Sequence, residues 1–148
     1  MPDNMTLDNL FDAIKECKIL VYGDVMIDEF LYGHVSRISP EAPVPVLEFE
    51  SRKSMPGGAA NAAHNAVSLG ASCSIIGCVG DDEDGHQLSL LLNEENIDTA
   101  GLVVDKARST TKKTRVIAHS QHVIRIDREL AIPVNTVVEN DIKNCLGT

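Results

Sequence analysis

Apolar residues follow helical spacing in some stretches of the chain and strand spacing in others. Leu7, Leu10, Phe11 and Ile14 have the i, i+3, i+4, i+7 spacing of an amphipathic helix, and Thr6 is a suitable N-cap for it. Five further elements are predicted in order: strand 18–25, helix 56–69, strand 72–79, helix 84–96 and strand 102–104. Strands separated by helices are typical of a parallel sheet in an α/β fold.

Two segments do not fit this alternation. Residues 30–51 contain three prolines and the extended stretch "PVPVLEFE", and residues 110–128 read as two strands around a polar turn at residues 119–121. We expect them to form a small separate β-layer that projects from the α/β body. The last ten residues, "ENDIKNCLGT", begin an amphipathic pattern that no further element completes, which indicates one truncated domain over residues 1–148.

Composition narrows the class of protein. With 148 residues and 43% hydrophobic residues, the chain is long and apolar enough for one globular domain. Aromatic residues make up only 3%, tryptophan is absent and the net charge is −9, so a nucleic-acid partner is not expected. A local basic pocket is still compatible with this charge.

The compartment is predicted from hydropathy and from the cysteines. No stretch approaches twenty apolar residues and the first ten residues are polar and acidic, so neither a membrane span nor a signal peptide is expected. No two of the four cysteines have the spacing of a CxxC motif. Reduced thiols in a cytoplasmic protein are therefore the predicted state.

The stretch "PGGAANAAHNAVSLGA" carries the first candidate site, on a helix whose small residues predict burial on most sides. Gly57 and Gly58 would let a ligand with oxygens or a phosphate approach the free N–H groups of the helix start. Asn61, one turn further, could direct its amide at hydroxyls. The alternative is a tight strand-to-helix turn with Asn61 as a local cap.

Asp24 and Asp28 follow the first strand, where open parallel sheets place ligands, and a carboxylate there can accept hydrogen bonds from adjacent sugar hydroxyls. The alternative is that these two aspartates only stabilise the turn at the end of the strand, where aspartate is common.

A basic cluster in an otherwise acidic chain is the second candidate. It consists of Lys112, Lys113, Arg115, Arg125 and Arg128. Strand alternation would place Lys113 and Arg115 on one face, where they suit a phosphate. The alternative is a set of solvent-facing charges on an edge strand, which discourage aggregation.

Two other motifs predict turns rather than metal sites. His119 and His122 lack a third ligand in view, and "DDEDG", residues 81–85, lacks the alternating spacing of a calcium loop. The acidic stretch is better explained as a turn that caps the following helix, with a role near a nucleotide as the weaker alternative. No metal site is predicted.

The combined motifs resemble a known family. "GGAANAAHNAVSLGA" followed by "IIGCVGDDEDG" is similar to the N-terminal signature of the ribokinase-like (PfkB-type) carbohydrate kinases. "GDVMIDEFLYGHVSRISPEAPVPVLEFE", "TTKKTRVIA" and "VIRIDRE" resemble, more narrowly, the D-glycero-β-D-manno-heptose 7-phosphate kinases, over residues 19–129. The resemblance implies a ribokinase-like, Rossmann-type parallel sheet and a small β-lid that covers the sugar and pairs with a second subunit as a homodimer.

The resemblance also implies roles for individual residues. Asn61 and Asp28 would hold the sugar hydroxyls, and the glycine pair would let the sugar approach the helix. Lys113 and Arg115 match the family's Thr-Lys-Thr-Arg pattern, whereas Lys112 stands where a threonine is usual. Two further residues complete the expected sugar-phosphate site: Asp24 and Arg125.

One departure concerns catalysis. The family's catalytic base and anion hole belong to a second motif, Asp-Thr-Thr-Gly-Ala-Gly-Asp, which the 148 residues do not contain. Phosphoryl transfer depends on such positioning and charge stabilisation. The resemblance therefore implies the N-terminal part of a kinase that uses ATP and Mg²⁺ when complete, with no catalytic residue and no bound cofactor in this chain. A non-catalytic module that binds a sugar phosphate, or dimerises through its lid, is the alternative.

Overall fold

Two β-sheets of different type form the framework of the computed structural model, which describes residues 6–147. The first sheet is parallel and three-stranded, in the order β1 (Lys18–Tyr22), β4 (Ser72–Gly80), β5 (Asp98–Asp105). The acidic start at residues 1–5 and residue 148, the last of the predicted domain, lie outside the described residues.

Helices cover both faces of the parallel sheet and complete the body. Helices α2 (Ala59–Ser68) and α3 (Glu83–Glu94) pack with the main core, whose fully buried members include Ile75, Leu88 and Leu92. A smaller cluster joins Ile76 to Val138 and Ile142 of α4 (Thr136–Leu146). The resulting α/β body has the predicted class. Within α2, however, only Ala60 and Ala63 are buried, so the prediction of a helix buried on most sides was wrong for the described residues.

The first helix, α1 (Leu7–Lys15), begins as predicted, because the Thr6 hydroxyl accepts a hydrogen bond from the backbone N–H of Asn9. Its apolar stripe is exposed rather than packed on the body, with Leu7 72% and Phe11 45% exposed. Helical periodicity therefore predicted the element, whereas its packing does not follow from that periodicity.

The second sheet is the predicted β-layer, hereafter the lid. It has the order β3 (Pro45–Gly58), β2 (Val25–Ile38), β6 (Lys112–Ala118), β7 (Gln121–Arg128). Strands β2 and β6 run parallel, and the other two pairs are antiparallel. The β6–β7 turn lies at His119 and Ser120, which both have positive φ angles.

Strands β2 and β3 of the lid extend beyond the segment expected from sequence, residues 30–51. Pairing of β2 with β3 is continuous from Val25 opposite Gly58 to Ile38 opposite Pro45, with two register shifts. Consequently the first strand ends at Tyr22 instead of Val25, and Pro56 to Gly58 close a lid strand instead of opening the helix. Long-range pairing decides these boundaries, and local composition does not report it.

The acidic turn before α3 is a partly buried, hydrogen-bonded cap, which confirms the favoured interpretation of "DDEDG". Asp82 is the N-cap, and its Oδ1 accepts from the Gly85 N–H at 2.9 Å and from the Thr110 hydroxyl at 2.6 Å. Its Oδ2 accepts from the Thr110 N–H at 2.9 Å. Burial opposes ionisation of Asp82, but the hydrogen bonds from Thr110 and Gly85 outweigh it and lower the pKa of this carboxyl.

Exposed apolar side chains on the edge strand β1 lead to a prediction about the chain in solution. Leu20 is 53% and Tyr22 62% exposed, and within residues 6–147 β1 pairs only with β4. Such edges promote association. We expect the 148-residue protein to be marginally stable or to aggregate, as measured by thermal melting and size-exclusion chromatography. A sharp, cooperative melt of a monomer would contradict this expectation.

Candidate functional site

Strand pairing in the lid brings four of the eight predicted site residues onto one face. Asp28 lies opposite Lys113, and Phe30 lies opposite Arg115, in the parallel β2–β6 pair. Arg125 of β7 lies opposite Arg115 on the other side. Because side chains alternate along a strand, these residues share one face of the sheet. We call this face, formed by Asp28, Phe30, Lys113, Arg115 and Arg125, the basic face.

Arg115 and Asp28 form the closest contact on the basic face. Arg115 Nη1 donates to Asp28 Oδ1 at 2.6 Å, and the guanidinium carbon lies 5.3 Å from the centroid of the Phe30 ring. Both charged side chains are about four-fifths shielded from solvent. The ion pair and the cation–π contact hold the guanidinium in place, so it is pre-organised for an oxygen-rich ligand.

Of the other two cations of the basic face, Lys113 has longer contacts and Arg125 is itself more exposed. Lys113 Nζ lies 3.4 Å from Glu129 and 3.8 Å from Asp127, which are distances too long for strong hydrogen bonds. Arg125 makes a bidentate contact with Asp127 at 2.9 and 3.0 Å but is more than half exposed. Lys113 therefore has the longest ion-pair contacts of the three cations on the basic face.

The glycine pair makes room for protein atoms. A Cβ at Gly57 would come within 2.7 Å of Asp28 Oδ2, and a Cβ at Gly58 would lie 2.4 Å from the Asp24 carbonyl oxygen. Gly58 also has a φ of +59°, which L-residues rarely adopt. The pair thus builds a tight strand-to-helix turn and places the Asp28 carboxylate against it.

Asn61 is not the cap that the turn interpretation suggested. Gly58 occupies the N-cap position of α2, no side chain caps the helix, and the Asp24 carbonyl accepts from the Ala59 N–H at 2.8 Å. Asn61 is exposed, and within residues 6–147 its side chain makes no hydrogen bond. Its amide is therefore available to a ligand at the start of the helix.

Asp24 occupies a different environment from Asp28. It lines a cavity of about 360 Å³ at the carboxyl ends of β1 and β4, together with Gly77, Arg108 and Thr111. Asp28 does not line this cavity. Arg108 is held there by Asp105 Oδ2 at 3.0 Å, and hydrogen bonds from the Ala107 N–H and from Arg108 lower the pKa of Asp105 despite its burial. The two predicted aspartates therefore do not form one carboxylate pair.

The histidine, cysteine and acidic side chains decide whether the described part of the chain can hold a metal site or a reactive thiol. No group of three or more histidine, cysteine or acidic residues is placed to hold a metal ion within residues 6–147. His119 Nε2 instead lies 3.2 Å from the Val35 carbonyl oxygen. All four cysteines are free, and burial raises the pKa of the Cys73 and Cys78 thiols, which keeps them protonated.

Sequence reasoning missed a second charged group on the opposite face of the lid. Glu29 is buried and contacts Lys112 and Thr114, while Asp84 of α3 contacts Lys112 and Arg128. The available signal was alternation, since Lys112 must face away from Lys113 and Glu29 away from Asp28. What the sequence did not reveal is that α3 supplies the facing carboxylate.

Solved structures of sugar kinases share the fold of this chain. A putative sugar kinase from Clostridium perfringens superposes with a TM-score of 0.65 at 20% identity, over 88% of this chain and 41% of that one. An uncharacterized sugar kinase from Pyrococcus horikoshii, determined in complex with ATP, gives 0.54 at 25% identity, over 76% and 34%. The fold is thus that of the ribokinase-like sugar kinases.

Sequence comparison identifies the family. The profile of the pfkB family of carbohydrate kinases matches residues 17–142, so the chain belongs to that family. It is 49% identical over 118 residues to the bifunctional protein HldE of Helicobacter pylori strain P12, which covers 80% of this chain. The chain spans about a quarter (26%) of the length of that relative.

None of the helices within residues 6–147 has the length and apolar character needed to cross a membrane.

Proposed function

We propose that this chain forms the sugar-binding part of a kinase that transfers the γ-phosphate of ATP to the 1-hydroxyl of D-glycero-β-D-manno-heptose 7-phosphate. The observation that carries the proposal is the basic face, where the Asp28 carboxylate lies beside Arg115 and across the strand pair from Lys113. Similarity to HldE and the run "RISPEAPVPV" favour heptose within the family. The reaction would serve the synthesis of ADP-heptose for lipopolysaccharide in the cytoplasm.

The proposed binding mode divides the sugar phosphate between two kinds of group. Asp28 accepts hydrogen bonds from sugar hydroxyls, and the exposed amide of Asn61 adds a second polar contact at the helix start. Lys113, Arg115 and Arg125 face the 7-phosphate, which offers stronger acceptors than their present partners. The tight turn at Gly57 and Gly58 brings the sugar close to α2. Asp24 lines the cavity at the carboxyl ends of β1 and β4.

The described residues offer no ready set of ligands for the Mg²⁺ that accompanies ATP. Within residues 6–147 no acidic cluster is arranged for a metal ion. We therefore assign no step of phosphoryl transfer to this chain and place nucleotide binding in the part of the longer relatives that it does not cover. ATP is the phosphoryl donor by analogy with the Pyrococcus horikoshii sugar kinase.

A homodimer through the lid is part of the proposal. Phe49, Ile124 and Ile126 on the two outer strands of the lid are each more than half exposed. Apolar side chains at sheet edges favour strand addition or sheet packing by a second copy. The lid-mediated dimer would also enclose the sugar.

For the chain alone, we expect no ATP-dependent phosphorylation of heptose 7-phosphate above background. The physical reason is that neither a base nor an anion hole for the transferred group has been identified among its residues. Purified protein would be assayed for ADP release, with an Asp28→Ala variant as the control for contaminating kinases. Turnover that disappears in the Asp28→Ala variant would contradict this prediction and restore catalysis to the chain. Sugar-phosphate binding without turnover is also what a non-catalytic module would give.

The experiment that tests the binding site compares Lys113→Ala with Arg115→Ala. Losing a charged partner of the phosphate costs about 1.5–3 kcal/mol, or roughly ten- to a hundred-fold in affinity. Lys113→Ala should weaken heptose 7-phosphate by this factor and leave unphosphorylated heptose unchanged. Arg115→Ala should weaken both sugars, because it also removes the partner of Asp28. Isothermal titration calorimetry with each sugar measures the difference.

Lys106→Ala is the matched control for this comparison, since Lys106 is a highly exposed lysine of the body with a carboxylate 4.0 Å away. It should leave both affinities unchanged. If Lys113→Ala and Arg115→Ala both keep the preference for the phosphorylated sugar, the basic face does not bind the phosphate, and a sugar-phosphate substrate loses its support from the geometry.

A further inference from the structure

Four charged side chains join the lid to the first turn of α3, on the face of the lid opposite the basic face. They are Glu29 of β2, Lys112 of β6, Arg128 of β7 and Asp84 of α3, and we call them the anchor cluster. Only Asp84 belongs to the body. The cluster therefore connects three of the four lid strands to one helix.

Lys112 lies at the centre of the anchor cluster. Its Nζ is 3.0 Å from Glu29 Oε1 and 3.1 Å from Asp84 Oδ1, so one ammonium bridges two carboxylates. The Arg128 guanidinium contacts the other oxygen of Asp84, and the Thr114 hydroxyl donates to Glu29 Oε2 at 3.0 Å. Every carboxylate oxygen of the cluster thus has a partner.

Burial makes the ammonium of Lys112 costly to lose. The side chains of Glu29 and Asp84 are only 8% and 11% exposed, and that of Lys112 is 18% exposed. Without Lys112, Glu29 would keep the Thr114 hydroxyl and Arg52, which lies 3.8 Å away. Asp84 would keep Arg128 as its only charged partner among the described residues. Removing a close cation from a buried carboxylate is destabilising, whereas an exposed pair contributes little. Asp84 also lies in the first turn of α3, where negative charge is favoured by the helix dipole.

The position of Lys112 links this cluster to the basic face. Lys112 and Lys113 are consecutive in β6, so their side chains point to opposite faces of the lid. Fixing Lys112 against α3 therefore fixes the direction in which Lys113 and, two residues on, Arg115 point relative to the body. The basic face itself has no ion pair to the body among the described residues.

We propose that Lys112 is a positioning residue: by bridging Glu29 and Asp84 it holds the lid on α3 and so sets where the basic face lies. It contacts no ligand itself. This assignment goes beyond the proposed function, because it concerns how lid and body are held together and does not depend on which sugar binds.

Amide hydrogen exchange, followed by mass spectrometry on the 148-residue protein, tests the assignment region by region. In Lys112→Met we expect roughly tenfold faster exchange in β6 and β7, because the lid opens locally from the body. Strand β4, which pairs only within the body, should keep its exchange rate. Lys112→Arg, which retains the charge, should preserve most of the protection.

Lys113→Met is the matched control, since it removes the neighbouring lysine whose carboxylate partners lie in the lid strand β7 and directly after it. It should leave the lid-specific exchange unchanged. If Lys112→Met does not fold, Asp84→Asn removes the same bridge from the side of the body and should give the same lid-specific acceleration. Equal acceleration in lid and body, or no acceleration in either variant, would overturn the proposal, because Lys112 would then act on global stability or not at all.

Discussion

Replacing Asp82 by alanine is expected to lower the free energy of unfolding by about 2–4 kcal/mol. The variant loses the N-cap of α3, for which about 0.5–2 kcal/mol is typical. It also removes the acceptor of the Thr110 N–H and hydroxyl, and Thr110 is 1% exposed, so these donors lose their buried partner at about 1–3 kcal/mol. A loss of this size would unfold much of a marginally stable protein.

Urea unfolding of the parent protein and of Asp82→Ala measures this loss. The variant should have a lower transition midpoint, with an unchanged slope of the free energy of unfolding against urea concentration. Asp81→Ala is the matched control, because Asp81 is the preceding residue, half exposed, with only a 4.0 Å contact to Lys106. The free energy of unfolding of Asp81→Ala should stay within about 0.5 kcal/mol of that of the parent protein. Similar losses in both variants would mean that the cap at Asp82 has no special role.

The same carboxylate gives the stability a pH dependence whose sign follows from its pKa. The pKa of Asp82 in the folded protein is lowered from 3.8, so near pH 4 the unfolded chain binds more protons than the folded one. The contribution of Asp82 is therefore complete above its unfolded pKa and is lost as the pH falls through the folded value. The difference between the parent protein and Asp82→Asn should accordingly shrink on acidification below pH 4.

Asp28→Ala should reduce sugar kcat/KM about ten- to a hundred-fold in a longer protein that contains this chain and the remainder of the kinase. The proposed hydrogen bonds from sugar hydroxyls to the carboxylate account for roughly 1.5–3 kcal/mol. The loss should affect phosphorylated and unphosphorylated sugar alike. Arg115 would also lose its 2.6 Å partner and become free to leave the Phe30 ring.

Two variants define the role of Asp28 more closely. Asp28→Asn keeps an acceptor of the same shape without the charge, so it should fall between the parent and alanine. Asn61→Ala should act in the same direction with a smaller effect, because a neutral amide makes the weaker bond. The control is Asp12→Ala, an exposed carboxylate of α1 paired with Lys15, which should leave sugar kinetics unchanged. Unchanged kcat/KM in Asp28→Ala would remove Asp28 from the site.

Local sequence pattern determined those features of this protein that depend on a few neighbouring residues. Helix α1 with its Thr6 cap, strand β4, the β6–β7 turn and the cap formed by Asp82 all follow from periodicity or from capping chemistry. Alternation likewise placed Lys113 and Arg115 on one face. These predictions hold because a side chain's direction is set by the backbone of its own element.

Only the tertiary structure decided which elements meet. The register between β2 and β3 extends the lid to Gly58, places Gly57 against the Asp28 carboxylate and separates Asp28 from Asp24. Pairing of β2 with β6, more than eighty residues away in sequence, creates the Asp28–Arg115 contact, and the packing of α3 on the lid encloses Asp84 with Lys112. Such contacts arise because burying apolar faces fixes one global register, and that choice is made by the whole fold and is not encoded in any single segment.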